Sequence, residues 1–209
     1  MSENSIRSAT SAVRHLLVCV VLVITSQAAS AGLDHEIAYD NSGIWNRNVQ
    51  LAIEYSAIAV GVGGALWLGN DSELGHTFWQ TLDSEAISAA AAQGMKYAFG
   101  RQRPSAGKGP NAWFQGGQSF PSGEVTLQAS FVTPFIVHYG RRYPAVWALE
   151  LLPLYDGVAR MKSHAHWQTD VLGGWALGTA VGYLTTTWET PISVMILPHG
   201  FAVGLSKRF

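Results

Sequence analysis

The sequence predicts an all-α chain, a bundle of about five or six helices with a small β-hairpin at its C-terminus. Apolar residues make up 48% of the 209 and charged residues only 13%. That charged share is about half that of an ordinary soluble domain, so the chain is unusually buried, membrane-associated, or both. The apolar residues fall in segments of helical length separated by Gly, Pro and Asn clusters. Only the tail alternates with a period of two.

The first element is not part of the bundle. Arg7 and Arg14 precede a nine-residue apolar run at 16–24, and Ala29-Ser30-Ala31 follows as a small-residue cleavage site. This three-part pattern is that of a secretory signal over 1–31, which leaves 32–209 as one helical domain in the periplasm or outside the cell. The single cysteine, Cys19, lies inside the signal, so the mature chain has no thiol for a disulfide, a metal or a nucleophile. Cleavage also leaves a net charge of −2, which gives no basic field for nucleic acid.

The helices follow in order. Residues 50–68 are apolar and interrupted by Glu54. Residues 83–100 are alanine-rich, with Asp83 or Ser84 as the expected cap and Pro104 blocking continuation. Residues 107–118 are rich in Gly and Asn and read as a surface loop carrying Trp113 and Phe114. Pro121-Ser122-Gly123 opens a helix that runs to about Tyr139, and Pro144 sits early in another that reaches Met161. A last helix starts near Trp167 and runs to about Trp188. Its apolar stretch of seventeen residues, 171–187, is marginal for a membrane span. Gly173, Gly174, Gly178 and Gly182 point instead to close helix packing, and a compact bundle outside the membrane is the expected arrangement. The tail, 192–209, has the alternation of a hairpin turning at Pro198-His199-Gly200.

Three stretches hold groups that bind anions. Lys96 and Arg103 are seven residues apart, two turns and one face if the helix persists to Pro104. Arg101 and Lys108 add charge, and no acidic residue lies between Lys96 and Lys108. Lys96 sits among Gly94, Met95, Tyr97 and Phe99, a poor place for an idle ammonium. Ser122 and Gly123 at a helix start offer a hydroxyl and unpaired amides. Arg160 supplies a fork suited to two phosphate oxygens. His166 and Asp170 are four apart, so a carboxylate on the same helical face is placed to fix the imidazole tautomer. His164 falls on another face and reads as structural.

Lys96-x6-Arg103-Pro104, then Pro121-Ser122-Gly123, then Arg160-x5-His166-x3-Asp170 together resemble the type 2 phosphatidic acid phosphatase superfamily. That group includes bacterial class A acid phosphatases, membrane lipid phosphate phosphatases and vanadium-dependent haloperoxidases. The resemblance implies that Lys96, Arg103, Arg160, Ser122 and the Gly123 amide bind phosphate. It implies His166 as the nucleophile that forms a phosphohistidine, Asp170 as the residue that holds it, and no metal or other cofactor. Vanadate is then an expected inhibitor and transition-state mimic. The implied substrate is a phosphomonoester or a lipid or isoprenoid (di)phosphate.

The family pattern has a histidine after Pro-Ser-Gly, acting as general acid; this chain has Glu124, and Ala159 stands where a serine usually precedes the arginine. Three readings of Glu124 are open. It is a protonated acid that still donates to the leaving group. It is a carboxylate that pairs with a cation and tunes the site. Or it marks a phosphate-binding protein that turns over little or nothing. A haloperoxidase is a further alternative. His76, His138 and His199 lack partners at ligand spacing, the Gly61–Gly64 run follows no strand, and the eight tryptophans read as core and interface anchors. The alternating tail leaves a peripheral membrane contact open.

Overall fold

The computed structural model describes residues 32–187 and the backbone of 192–197 and 200–205. The signal expected over 1–31, and His199, lie outside the described residues. Among the described residues there are five α-helices: α1 (Arg47–Leu68), α2 (Glu73–Phe99), α3 (Gly123–Tyr139), α4 (Leu151–Lys162) and α5 (Gln168–Thr186).

Local chemistry sets their ends. Asn46 caps α1 by accepting from the Asn48 amide, and Ser72 caps α2 by accepting from the Gly75 amide. The second helix therefore starts at Glu73, well before the expected cap at Asp83 or Ser84, both of which lie inside it. It stops at Gly100, whose φ of 49° is left-handed and whose N–H bonds the Lys96 carbonyl. The helix does not persist to Pro104, so Arg103 is not on α2 and the shared face with Lys96 that depended on it is not formed. Arg103 lies in extended backbone before a short 3₁₀ turn, Pro104–Ala106. Pro144 likewise opens a 3₁₀ turn, Pro144–Glu150, and α4 begins only after it.

Helix α3 is the centre of the bundle. It packs most extensively on α5, then on α2, and also touches α4 and α1. The glycines of α5 allow this. A Cβ at Gly174 would lie 2.5 Å from the Ser122 carbonyl oxygen, and one at Gly178 only 2.2 Å from that of Thr126. The two backbones are in contact along a stripe at helical spacing, as the sequence led us to expect.

Helix α1 lies at the edge. Only Gln50, Gly61 and Ala65 are buried among its 22 residues, while Ile58, Val62, Leu66 and Trp67 are exposed. By length and composition it is able to cross a membrane. Its outward apolar face departs from the self-contained bundle expected from the sequence.

Residues 32–46 strap the end of the bundle where α2 stops and α3 starts. The Asp40 amide donates to the Lys162 carbonyl at 3.0 Å, and the His35 amide donates to Gln168 Oε1 at 3.1 Å. At the other extremity of the chain, the backbone of Ile192–Leu197 runs antiparallel to Gly200–Leu205. The turn at 198–199 and the end of the tail at 206–209 lie outside the described residues, and the expected tail hairpin is not established as part of this fold.

Candidate active site

Five helix ends meet at the strapped end of the bundle: the starts of α1, α3 and α5 and the finishes of α2 and α4. Lys96, in the last turn of α2, is 9% exposed. Its ammonium donates to the carbonyls of Gln118 at 2.9 Å and Pro121 at 2.6 Å, which holds it below the start of α3. Gly123 lies directly against it, since a Cβ there would make ordinary contact with Lys96 Cε at 3.6 Å. Burial, with Arg103 nearby, lowers the Lys96 pKa to about 8.

Ser122 precedes α3, and its amide donates to the Asp170 carbonyl at 2.9 Å. Its hydroxyl is buried and has no hydrogen-bond partner among the described residues. The first amides of α3 are unpaired by helix geometry and lie beside it. Arg160, in the last turn of α4, is 6% exposed; its Nη1 donates to Gln50 Oε1 at 3.2 Å, and its Nε is another buried atom without a partner among the described residues. Arg103 has no carboxylate partner among the described residues, and its charge depresses the proton affinity of both Lys96 and Arg160. Lys108 is exposed.

His166 is 3% exposed and sits in the loop between α4 and α5. Its Nδ1 lies 2.7 Å from the Ser119 carbonyl oxygen. A carbonyl only accepts, so Nδ1 carries the proton and Nε2 keeps a free lone pair. Asp170 Oδ2 is 3.7 Å from Nδ1, beyond hydrogen-bond reach. Ser119 therefore stands between the two, its carbonyl on His166 and its hydroxyl donating to Asp170. Burial lowers the His166 pKa to about 4, although Asp170 opposes the shift, so the ring is neutral at neutral pH. Burial pushes Asp170 up, but His166, Arg101 and Ser119 together hold it below its ordinary value.

Sequence reasoning missed what holds Asp170. Arg101 is 1% exposed and bonds Asp170 at 2.6 Å, Asp34 at 2.6 Å and the Thr169 hydroxyl at 2.7 Å. Its guanidinium also lies 4.3 Å from the Trp113 ring centre. It is a buried structural cation, closed to any ligand. No local motif marks this role, because Asp34 comes from the strap, far away in sequence. His164 is also structural: it adopts φ 53° and bonds the Ile37 carbonyl at 2.7 Å.

Glu124, in the first turn of α3, is an ion-paired carboxylate. Arg47, at the start of α1, donates to its two oxygens at 2.6 and 2.9 Å, and Arg160 Nη1 is 3.6 Å away. Burial pushes the Glu124 pKa up, yet Arg47 and Arg160 outweigh it and hold the group below its ordinary value. Gln50 is 1% exposed and links the two arginines, with Oε1 accepting from each at 3.2 Å and its amide nitrogen donating to the Trp45 carbonyl. Neither Arg47 nor Gln50 stands in a motif that the sequence advertises.

A helical bundle with a neutral histidine, unpaired helix amides and three cations gathered at one end is built to receive an oxyanion. Residues 78–192, more than half of the chain, match the PAP2 superfamily, and the chain belongs to that superfamily. It is 36% identical over 136 residues to the lipid A 1-phosphatase of Porphyromonas gingivalis, a match that takes in 61% of this chain and 27% of that protein. The chain thus spans little more than a quarter of that curated relative. The fold is shared with two solved structures. LpxE of Aquifex aeolicus superposes with a TM-score of 0.51 at 18% identity, covering 66% of this chain and 84% of that one. The transmembrane PAP2-type phosphatidylglycerolphosphate phosphatase of Bacillus subtilis gives 0.53 at 16% identity, covering 84% and 94%. Arg47 and Gln50 lie before the matched region.

Proposed function

We propose that this chain is a metal-independent lipid phosphate phosphatase that works through a phosphohistidine on the periplasmic side of a membrane. The observation that carries the reading is the pair of buried, unpartnered donors, Ser122 Oγ and Arg160 Nε, in a cluster whose histidine is neutral. Of the ten buried polar atoms without a partner among the described residues, these two are donors beside Lys96 and Arg103, where a phosphate would complete them. In the first step His166 Nε2 bonds to phosphorus and the P–O bond to the alcohol breaks. Lys96, Arg103, Arg160, Ser122 and the Gly123 amide stabilise the charge on the equatorial oxygens. Water then bonds to phosphorus, the P–N bond breaks, and inorganic phosphate leaves. Asp170, acting through Ser119, keeps the imidazole in the tautomer that can attack.

A lipid substrate is favoured by an apolar groove on the helix that carries Arg47. One residue after Arg47 begins an open apolar groove of about 580 Å³, lined by Asn48, Val49, Ala52, Ile53, Phe131 and Leu152. It runs along α1 between Asn48 and Val60, and we assign it to the hydrocarbon chain of the substrate. The named relatives act on lipids according to their names. The signal at 1–31 and the alternating tail belong to the same proposal, as a periplasmic address and a small hairpin beside the bundle.

The test is phosphate release from lipid phosphates in mixed micelles by the purified chain. The variant His166→Ala is expected to lose turnover by about 10³-fold or more, the scale of a removed nucleophile. Turnover at the wild-type rate in that variant rules out the phosphohistidine route. The second reading, a phosphate-binding protein without catalysis, is favoured by the ion-paired state of Glu124, which cannot donate a proton. Tight phosphate binding with no release from any substrate supports that second reading.

A further inference from the structure

The geometry points to Arg47 as the residue that stabilises the leaving oxygen, with Glu124 as the carboxylate that positions it; we propose that this pair replaces proton donation in the reaction. The inference rests on the phosphatase reading above and deepens it.

The nucleophile lies at the buried end of the site. His166, Lys96 and Arg160 are all below 10% exposed. Phosphoryl transfer is roughly in line, so the leaving oxygen points away from His166, toward the end through which the bulk of a substrate must remain outside. Arg47, tied to the cluster through Gln50 and Glu124, has a side chain 37% exposed against 7% for Arg160, so it stands nearer the outer end than Arg160 does. Glu124 is 17% exposed at the same rim. Glu124 and Gln50 take three of the guanidinium's N–H groups. That leaves Nε–H and one Nη2–H with no partner among the described residues, free for an incoming oxygen.

A two-point bond from Glu124 fixes the plane of the guanidinium, and Gln50 ties it to Arg160. As the P–O bond breaks, its electron pair goes to the leaving oxygen. Arg47 donates hydrogen bonds to that oxygen and keeps its own proton. Water at the rim supplies the proton that completes the alcohol. Glu124 therefore holds the helix position of a general acid without being one. Helix α1, outside the family match, supplies the cation that takes over the work.

The experiment compares kcat/KM of the full-length wild type and Arg47→Gln on a series of aryl and alkyl phosphates, from 4-nitrophenyl phosphate to a primary alkyl phosphate. Arg47→Gln is expected to lose about 100-fold on the alkyl phosphate and less than about 5-fold on 4-nitrophenyl phosphate, since help to the leaving group matters least where the leaving group is already good. An equal loss across the series assigns Arg47 to folding or uniform binding and overturns the proposal. Glu124→His provides an independent check. A histidine there can donate a proton, so in the Glu124→His background the loss caused by Arg47→Gln is expected to be nearly the same on the alkyl and aryl phosphates, and a loss that still grows about 20-fold toward the alkyl phosphate overturns the proposal. A wild type that releases phosphate from no member of the series defeats both this inference and the phosphatase reading, whereas the first two failures leave that reading intact.

Discussion

His166 and Lys96 lie in one buried cluster, and burial acts on both by disfavouring charge. For the histidine that is useful. Its pKa of about 4 leaves the imidazole neutral and nucleophilic at every pH above that value. For the lysine the same effect sets a limit, because its pKa of about 8 means that the phosphate loses a cation in alkali. On the proposed route the free protein needs neutral His166 and charged Lys96. Activity is therefore lost as pH falls through about 4 and again as it rises through about 8. A pH profile of kcat/KM checks this, and Lys96→Arg is expected to remove the alkaline limb while leaving the acid limb in place, because a guanidinium stays charged. An alkaline limb that survives the substitution assigns it to another group.

At the scale of the element, α5 matters as much for what it lacks as for what it carries. Gly174 and Gly178 let its backbone touch α3, and α3 carries Ser122, Gly123 and Glu124 at its start. An added methyl at Gly178 would sit 2.2 Å from the Thr126 carbonyl oxygen, a backbone atom that can move only with its helix. Gly178→Ala is expected to cost about 1–3 kcal/mol of stability, the range for overpacking a tight core. It should also lower activity, because the displaced helix bears the cradle. Gly63→Ala on α1 is the matched control, with no atom within 4 Å of the new methyl. There the alanine should be neutral or stabilising through helix propensity. Thermal unfolding of both variants in one detergent separates the two cases, and equal midpoints would show that the α3–α5 contact yields to the extra methyl.

The whole molecule places this site beside an apolar helix. Helix α1 is apolar enough to cross a membrane, little of it is buried, and it brings Arg47 and Gln50 to the cradle at its first turns. The chain is therefore expected to remain with the membrane fraction through washes in high salt and to need detergent for release. Salt screens surface charge attraction but leaves apolar burial in place. Release by salt alone, followed in fractionated cells, would assign the exposed face of α1 to a protein partner instead.

Read on its own, the sequence determined the helical class and the glycine stripe on α5, and it singled out Lys96, Ser122, Gly123, Arg160 and His166, which the fold gathers at one end of the bundle. Each of these is marked by local spacing or by a helix end, and such signals survive in one dimension. Whether the helix of Lys96 persists to Arg103 stayed conditional, because a single left-handed glycine, Gly100, decides where α2 stops. Only the tertiary structure decided the rest. The bonds from Ser119 to His166, from Arg101 to Asp34 and Asp170, and from Arg47 to Glu124 join residues 47 to 77 positions apart. Their partners are set by which helix ends and loops meet, and no periodicity records that meeting. The charge state of Glu124 follows from it too, since a carboxyl next to Pro-Ser-Gly is an acid or an ion-paired anion according to whether a guanidinium from another helix arrives.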